Sequence, residues 1–292
     1  IGVDRAGFDA AMAAQKAAAR AAWKGSGAAA ESEVWFDIAE REGATEFTGY
    51  ASTNGEGRVV ALLVEGREVG EADAGQEVTV LTNQTPFYGE SGGQMGDAGT
   101  ITGDHRLEIA VASTSKPLGR LHAHHGRVAA GKVRRGDIVR LAVDADRRDR
   151  IRANHSATHL LHAALRNALG GHVTQKGSLV AEDRLRFDFS HPRPLTGEEI
   201  AAIEAEVNAE IRHNAPTDTR LMTPDEAIGA GAIALFGEKY GDEVRVLSIG
   251  RGDWQGSGKP FSVELCGGTH VRATGDIGLF RIIGESAVSA GV

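Results

Sequence analysis

The sequence predicts an α+β fold in three consecutive parts. They are an N-terminal linker helix at 1–30, a small β-barrel with a glycine-rich motif at 31–147, and an α+β core at 148–292. Three observations carry that reading. Apolar residues recur at helical spacing from Phe8 to Trp23. Between about 34 and 143 the pattern changes to short alternating runs broken by turn signals, and such strands in series suggest a barrel or sandwich. From 148 onward, helical and strand patterns interleave.

In the first part, Asp4 can cap a helix on which Phe8, Ala11, Met12, Gln15, Ala19 and Trp23 share a face, with Gly25-Ser-Gly27 as its end. Its Ala-rich interior suits a link to an upstream region. The sequence, which lacks an initiating Met, reads as a piece of a longer protein. In the second part, strands are expected at 59–64, 77–81, 106–111 and 137–143, with turns at Asn54-Gly55 and Glu65-Gly66. Among them lies Thr85-Pro-Phe-Tyr88-Gly-Glu-Ser-Gly92-Gly93-Gln94-Met-Gly96-Asp97-Ala-Gly99. Its glycines allow backbone to approach a neighbour closely, but their spacing matches no Walker or dinucleotide-binding loop. His122, His124 and His125 follow, and without a Cys or carboxylate at ligand spacing they are expected at a surface or between domains.

In the third part, 148–169 reads as a helix ended by Gly170-Gly171. Strands follow at about 172–180 and 185–189. Thr196 and Glu199 form a capping box for a helix reaching about His213, and Thr223-Pro-Asp-Glu226 opens a shorter one. Strands are expected at 244–249, at 261–265, ending on Cys266, and last at 277–283.

Two stretches concentrate the chemistry. On the first helix, Arg152-Ala-Asn-His155-Ser-Ala-Thr-His159-Leu-Leu-His162 places His155 and His159 one turn apart, on one face. In Glu264-Leu-Cys266-Gly-Gly-Thr-His270, Cys266 and His270 have the same spacing across a Gly-Gly that permits a tight turn. Three imidazoles and a thiolate suit Zn²⁺. Taken singly, a His pair is also ordinary polar surface and a lone Cys an ordinary buried hydrophobe; it is their conjunction that points to a metal. His162 is expected to pack nearby rather than ligate. The His-x-x-x-His spacing resembles that of zinc peptidases, but Ser156 stands where their general-base Glu belongs, which argues against peptidase chemistry.

Composition narrows the classes further. A single Cys rules out an internal disulfide and fits a reducing, cytoplasmic setting. No run approaches ~20 uninterrupted apolar residues, so no membrane-spanning helix is expected. The net charge of −8 argues against a global electrostatic grip on DNA or long RNA. Locally, nine Arg and Lys residues crowd between Arg127 and Arg152. That run reads either as a solvated face or as a seat for a few phosphates beside the metal.

Together these motifs, with His172-Val-Thr-Gln175-Lys-Gly-Ser, Arg186-Phe-Asp-Phe189 and Phe87-Tyr88-Gly-Glu-Ser-Gly-Gly-Gln94, resemble the editing region of the alanyl-tRNA synthetases and their free-standing AlaX deacylase relatives. The resemblance covers nearly the whole chain, and the N-terminal helix tips it toward the synthetases. It implies zinc-dependent hydrolysis of Ser-tRNA(Ala) and Gly-tRNA(Ala), with the tRNA acceptor end as partner. It also implies His155, His159, Cys266 and His270 as ligands, Cys266 and Gln175 as catalytic residues, and Thr85 and Gln94 as substrate contacts, Thr85 reading the serine hydroxyl. No adenylation domain is recognised. Four protein ligands would close a tetrahedral zinc, so a catalytic and a structural role both stay open. A non-catalytic, zinc-stabilised RNA-binding module is the other reading.

Overall fold

The computed structural model describes residues 28–233, 242–252, 258 and 260–287. The expected helix at 1–24 lies outside the described residues. The first described element is helix α1 (Ala28–Glu42). The alternating pattern expected from 34 onward therefore begins too early: Val34, Trp35, Ile38 and Ala39 recur at helical spacing and pack together as one face.

The strands that follow are β1 (Glu46–Phe47), β2 (Asn54–Val64), β3 (Arg67–Val69), β4 (Glu71–Asp73), β5 (Glu77–Thr82), β6 (Gln84–Thr85), β7 (Gly99–Gly103), β8 (Glu108–Ser115), β9 (Ala123–Ala130), β10 (Lys132–Arg134) and β11 (Ile138–Val143). Six of them close a ring in the order β2-β5-β9-β8-β7-β11 and back to β2, all antiparallel. Closure leaves no unpaired edge in the ring. Period-two alternation sends Ile109 and Val111, and Val139, Leu141 and Val143, inward, where they meet Val59, Val80, Ile101, Val128 and Phe87. Strand β2 departs from alternation, since 59–63 is buried throughout. One face of that run lines the barrel, while Val60, Ala61 and Leu63 on the other lie under Ile38 and Ala39 of α1.

Helix α2 (Ala145–Leu169) leaves the barrel directly. It starts three residues before the expected position because Asp144 caps it, accepting from Arg147 N at 3.0 Å. Then come β12 (Gln175–Val180), β13 (Leu185–Phe189), α3 (Gly197–His213), β14 (Asp218–Met222), α4 (Pro224–Gly229), β15 (Val244–Ile249) and β16 (Ser262–Leu265). Both expected capping boxes form, Thr196 with Glu199 and Thr223 with Glu226. The hairpin β12-β13 and the three-stranded sheet β14-β15-β16 flank a core of Leu160, Leu161, Leu165, Ile203, Val207 and Ile249. The chain is thus a mixed α+β fold built on a closed barrel. Among the described residues no helix is long and apolar enough to cross a membrane.

Two expectations are corrected. No strand forms at 277–283: Thr274–Ile277 is a 3₁₀ turn, and 278–287 has no ladder partner. Side chains of α3 take that role. Asn208 bonds both Phe280 N (3.0 Å) and Phe280 O (2.9 Å), and Glu204 accepts from Ile282 N. Most of the basic run is the solvated face expected, with Arg127, Arg134, Arg135, Arg140 and Arg150 exposed, and carboxylates pair with part of it. Lys132 and Arg134 pair with Glu71, Arg135 with Glu42, Arg147 with Glu182, and Arg152 with Asp149. Arg148 is fully buried. Its guanidinium binds Asp97 (Nε to Oδ1 2.8 Å), Gly49 O (3.0 Å) and Pro86 O (2.7 Å).

The His122–His125 cluster is likewise interior. His122 is 4% and His124 0% exposed. His122 stacks on Phe47 with ring centroids 5.5 Å apart, and its Nδ1 finds no partner among the described residues. His124 bonds Val80 O at 2.7 Å and Thr85 Oγ1 at 2.8 Å. Burial pushes His122 down to about 3, helped by Lys116, and His124 down to about 4. The unfolded chain takes up these protons near pH 6.5 and the folded chain does not. Stability from both residues is therefore complete above about 6.5 and lost as pH falls toward 4. Urea unfolding between pH 7 and 5 should show stability falling with acid. His122→Phe should flatten the slope by up to about 1.4 kcal/mol per pH unit; an unchanged slope would contradict the buried neutral ring.

Candidate metal centre

His155 and His159 project from the middle of α2, buried, with rings 5.2 Å apart. Cys266 is the first residue beyond β16, and His270 closes the loop that follows. One ligand atom from each of the four lies within 4.8 Å of all the others. Cys266 Sγ stands 3.5 Å from His155 Nε2 and 3.2 Å from His270 Nε2. Metal–sulfur and metal–nitrogen bonds of about 2.3 and 2.0–2.1 Å at a tetrahedral angle would put sulfur and nitrogen about 3.5 Å apart, so these edges fit a common ion. Among the described residues the buried Nε2 of His159 has no hydrogen-bond partner. A polar atom so placed is unsatisfied unless a cation takes its lone pair. A cluster that could hold a metal is therefore present.

The imidazoles are held from behind. His155 Nδ1 lies 2.7 Å from Gln94 Oε1, a pure acceptor, so Nδ1 carries the proton and Nε2 the lone pair. His159 Nδ1 meets Glu264 Oε2 at 2.8 Å, and His162 Nδ1 meets Glu264 Oε1 at 2.9 Å. His162 packs nearby as expected, sharing a carboxylate with His159. Strand alternation could have found Glu264, since it stands two residues before Cys266 and so on the same face. Gln94 was expected against substrate. It is fully buried, and both its polar ends are engaged: Nε2 donates to Thr269 Oγ1 (2.9 Å), and Oε1 accepts from Thr269 N (2.9 Å) as well as from His155. No spacing rule links Gln94 to His155 across 61 positions.

Electrostatics favour a metal-ready thiolate. Burial alone would raise Cys266, but His155, His270 and His159 together outweigh it and hold the thiol well below its usual range. Gly268 N adds a contact to Sγ at 3.4 Å. Burial disfavours charge on both Glu264 and His159, yet their mutual attraction holds Glu264 below the usual carboxylate range and His159 above the usual imidazole one. Burial takes His270 down to about 3 against the pull of Cys266.

The Gly-Gly pair acts differently from the expected tight turn, for neither glycine takes a positive φ. Gly267 is exposed, with nothing within 4 Å of a would-be Cβ. At Gly268 a Cβ would fall 2.5 Å from His155 Nδ1 and 2.8 Å from Gln94 Oε1. The absence of a side chain there lets the loop lie against the His155 ring.

Among the described residues, two predicted residues make no hydrogen bond to this cluster. Thr85, 1% exposed, lies on β6, which pairs with β1 outside the closed ring; its hydroxyl bonds His124 Nε2 of the barrel strand β9 (2.8 Å) and accepts from Phe87 N (3.1 Å). His124 donates through Nδ1 to Val80 O, so Thr85 must donate to Nε2 and keeps one lone pair free. Gln175 opens β12, at the opposite end of that strand from Val180, which bridges to Gln94.

Comparisons with known proteins agree along the length of the chain. The family model for tRNA synthetases class II (A) matches residues 1–147, and that for the threonyl and alanyl tRNA synthetase second additional domain matches 244–292. All 292 residues align at 72% identity with an alanine–tRNA ligase of Rhizorhabdus wittichii and at 70% with one of Sphingopyxis alaskensis. One from Parvibaculum lavamentivorans is 58% identical over the same length. The chain covers 33% of each of these relatives, about a third of their length.

Gly268→Ala should weaken divalent-metal retention by about 10–100-fold, the range for disturbed supporting contacts, while Gly267→Ala should keep wild-type affinity. Competition against a chromogenic chelator reads both. Equal affinities would show that the approach of Gly268 to His155 is immaterial.

Proposed function

The chain belongs to the tRNA synthetases class II (A), the family of the alanine–tRNA ligases, and from that premise we propose that it is the editing part of an alanyl-tRNA synthetase. In this reading His155, His159, Cys266 and His270 hold Zn²⁺ and the chain hydrolyses Ser-tRNA(Ala) and Gly-tRNA(Ala). It would act in the cytoplasm, within an enzyme that attaches alanine to tRNA(Ala). The observation that carries the reading is the convergence of four ligand atoms from α2 and the Cys266 loop to within 4.8 Å. The division into 1–30, 31–147 and 148–292 belongs to the same proposal.

The chemical need is general. A pocket for a small side chain discriminates only about 10²-fold against an added hydroxyl and cannot exclude a smaller side chain, so a second, hydrolytic site must remove the errors. Zinc, when bound, would supply Lewis acidity toward the ester carbonyl or a water of lowered pKa. The chain's own residues do the rest. Gln94 and Glu264 fix which nitrogen of His155 and His159 faces the cluster. The Cys266 thiolate sets local negative charge, and Cys266 and His270, less buried than His155 and His159, are the side from which the acceptor end would approach. Thr85 retains one acceptor lone pair, which suits a donating serine hydroxyl. Gln175 is the residue proposed to orient water or the substrate amine.

One observation favours a second reading: four protein donors can fill a tetrahedral ion, which would then be purely structural within an RNA-binding module. Cys266→Ala separates the two. The editing reading expects Ser-tRNA(Ala) hydrolysis to fall at least about 100-fold with little change in melting temperature, whereas a structural ion expects the domain to melt early. Hydrolysis at the wild-type rate would remove Cys266 from the chemistry.

A further inference from the structure

The loop that carries Cys266 leaves the sheet with little backbone support. Cys266 N donates to Arg245 O at 3.0 Å, the last backbone bond before two glycines. Glycine is the most permissive residue, so the path from Cys266 to His270 is not set by its own dihedral preferences. Side chains set it instead: Gln94 holds Thr269, and two others hold the carbonyls before it. Tyr50 Oη donates to Gly267 O at 2.6 Å. Arg245 Nη1 donates to Cys266 O at 3.3 Å and to Gly268 O at 2.9 Å, while Nη2 reaches Thr219 Oγ1 at 3.3 Å. Three consecutive carbonyls are thus held by two side chains, and those two lie on each other: the guanidinium carbon of Arg245 sits 3.9 Å from the centroid of the Tyr50 ring.

The two sides come from different parts of the molecule. Arg245 stands on β15, while Tyr50 belongs to the turn after β1, beside the barrel. That turn is itself anchored. Gly49 O accepts from Arg148 of α2, Thr48 N donates to Thr85 O, and Phe47 meets the Tyr50 ring edge-on with centroids 4.8 Å apart. The helix that bears His155 and His159 therefore also fixes, through Arg148 and Tyr50, the loop that bears Cys266 and His270.

We propose that Tyr50 and Arg245 are positioning residues for the metal centre, a clamp from barrel and sheet that holds the Cys266 loop at ligating distance. The proposal rests on the metal reading above.

The test measures metal retention in the intact chain, by chelator competition with Zn²⁺ and by the thiolate-to-metal absorption band of the Co²⁺-loaded protein, with melting of the metal-free chain as control. Tyr50→Phe removes only the hydroxyl and keeps the ring on Arg245; Arg245→Met removes the carbonyl contacts. The clamp predicts about 10-fold weaker retention for Tyr50→Phe and 10–100-fold for Arg245→Met, with an altered Co²⁺ band and a metal-free melting temperature close to wild type. Because both act on one loop, the double variant should lose less than the product of the two. Wild-type retention and an unchanged band in both variants would overturn the clamp while leaving the metal reading intact. Lower melting with an unchanged band would overturn it in favour of general support. A wild-type chain that binds no metal would overturn the metal reading, and the clamp with it.

Discussion

The buried ion pair between Arg148 and Asp97 is the contact on which the geometry of the site depends. Arg148 is 0% and Asp97 1% exposed, and the pair joins helix α2 to the end of the glycine-rich motif. Removing one partner from a buried pair costs about 3–5 kcal/mol, because the other charge is left uncompensated. Here neither charge relies on the other alone. Asp97 Oδ2 also accepts from Tyr88 N at 2.6 Å, and Arg148 also reaches the carbonyls of Gly49 and Pro86. The arginine gathers three chain segments onto one helix, two turns before His155. Arg148, His155, His159 and His162 recur at spacings of seven, four and three, so the residue that docks the helix on the barrel shares a face with those that form the cluster.

From that docking the rest of the site follows in layers. The glycine-rich motif is pinned on one side by Asp97 and on the other by backbone bonds to β12, Met95 N to Val180 O at 3.0 Å and Val180 N to Gly93 O at 2.7 Å. Gly93 takes a φ of +84°, and a Cβ there would meet Ser178 O at 2.6 Å, so a side chain would break this seam. Gln94, between the two anchors, is carried to His155. From the opposite side Glu264, fixed by Ser262 Oγ at 3.1 Å, reaches His159 and His162. Each imidazole of α2 is thereby turned by a neighbour whose own place is set by the fold, which is what a pre-formed ligand set requires.

What the sequence disclosed was local. The spacing of His155 with His159 and of Cys266 with His270, the two capping boxes and the alternation of 106–111 and 137–143 are periodic signals that a single segment carries. What it concealed depends on distant partners. The pairing of β11 with β2, which closes the barrel, joins segments about eighty residues apart. The burial of Arg148 and of His122 and His124 follows from partners that no window around them contains, so all three read as polar surface or as part of a basic run. Helix α1 was hidden by Gly25-Ser-Gly27, which reads as the end of helical structure. The segment at 277–283 alternates like a strand, but strand formation needs a neighbouring edge, and the side chains of Asn208 and Glu204 take its backbone groups instead. Gln94 lay inside a recognised motif, but its spacing carried no sign that it would face a histidine.

The central claim is that His155, His159, Cys266 and His270 share one ion. X-ray absorption at the metal edge of the zinc-loaded chain tests it most directly. The account predicts one ion per chain with three nitrogen neighbours at about 2.0–2.1 Å and one sulfur at about 2.3 Å. A shell without sulfur, or a chain that takes up no ion under these conditions, would contradict it.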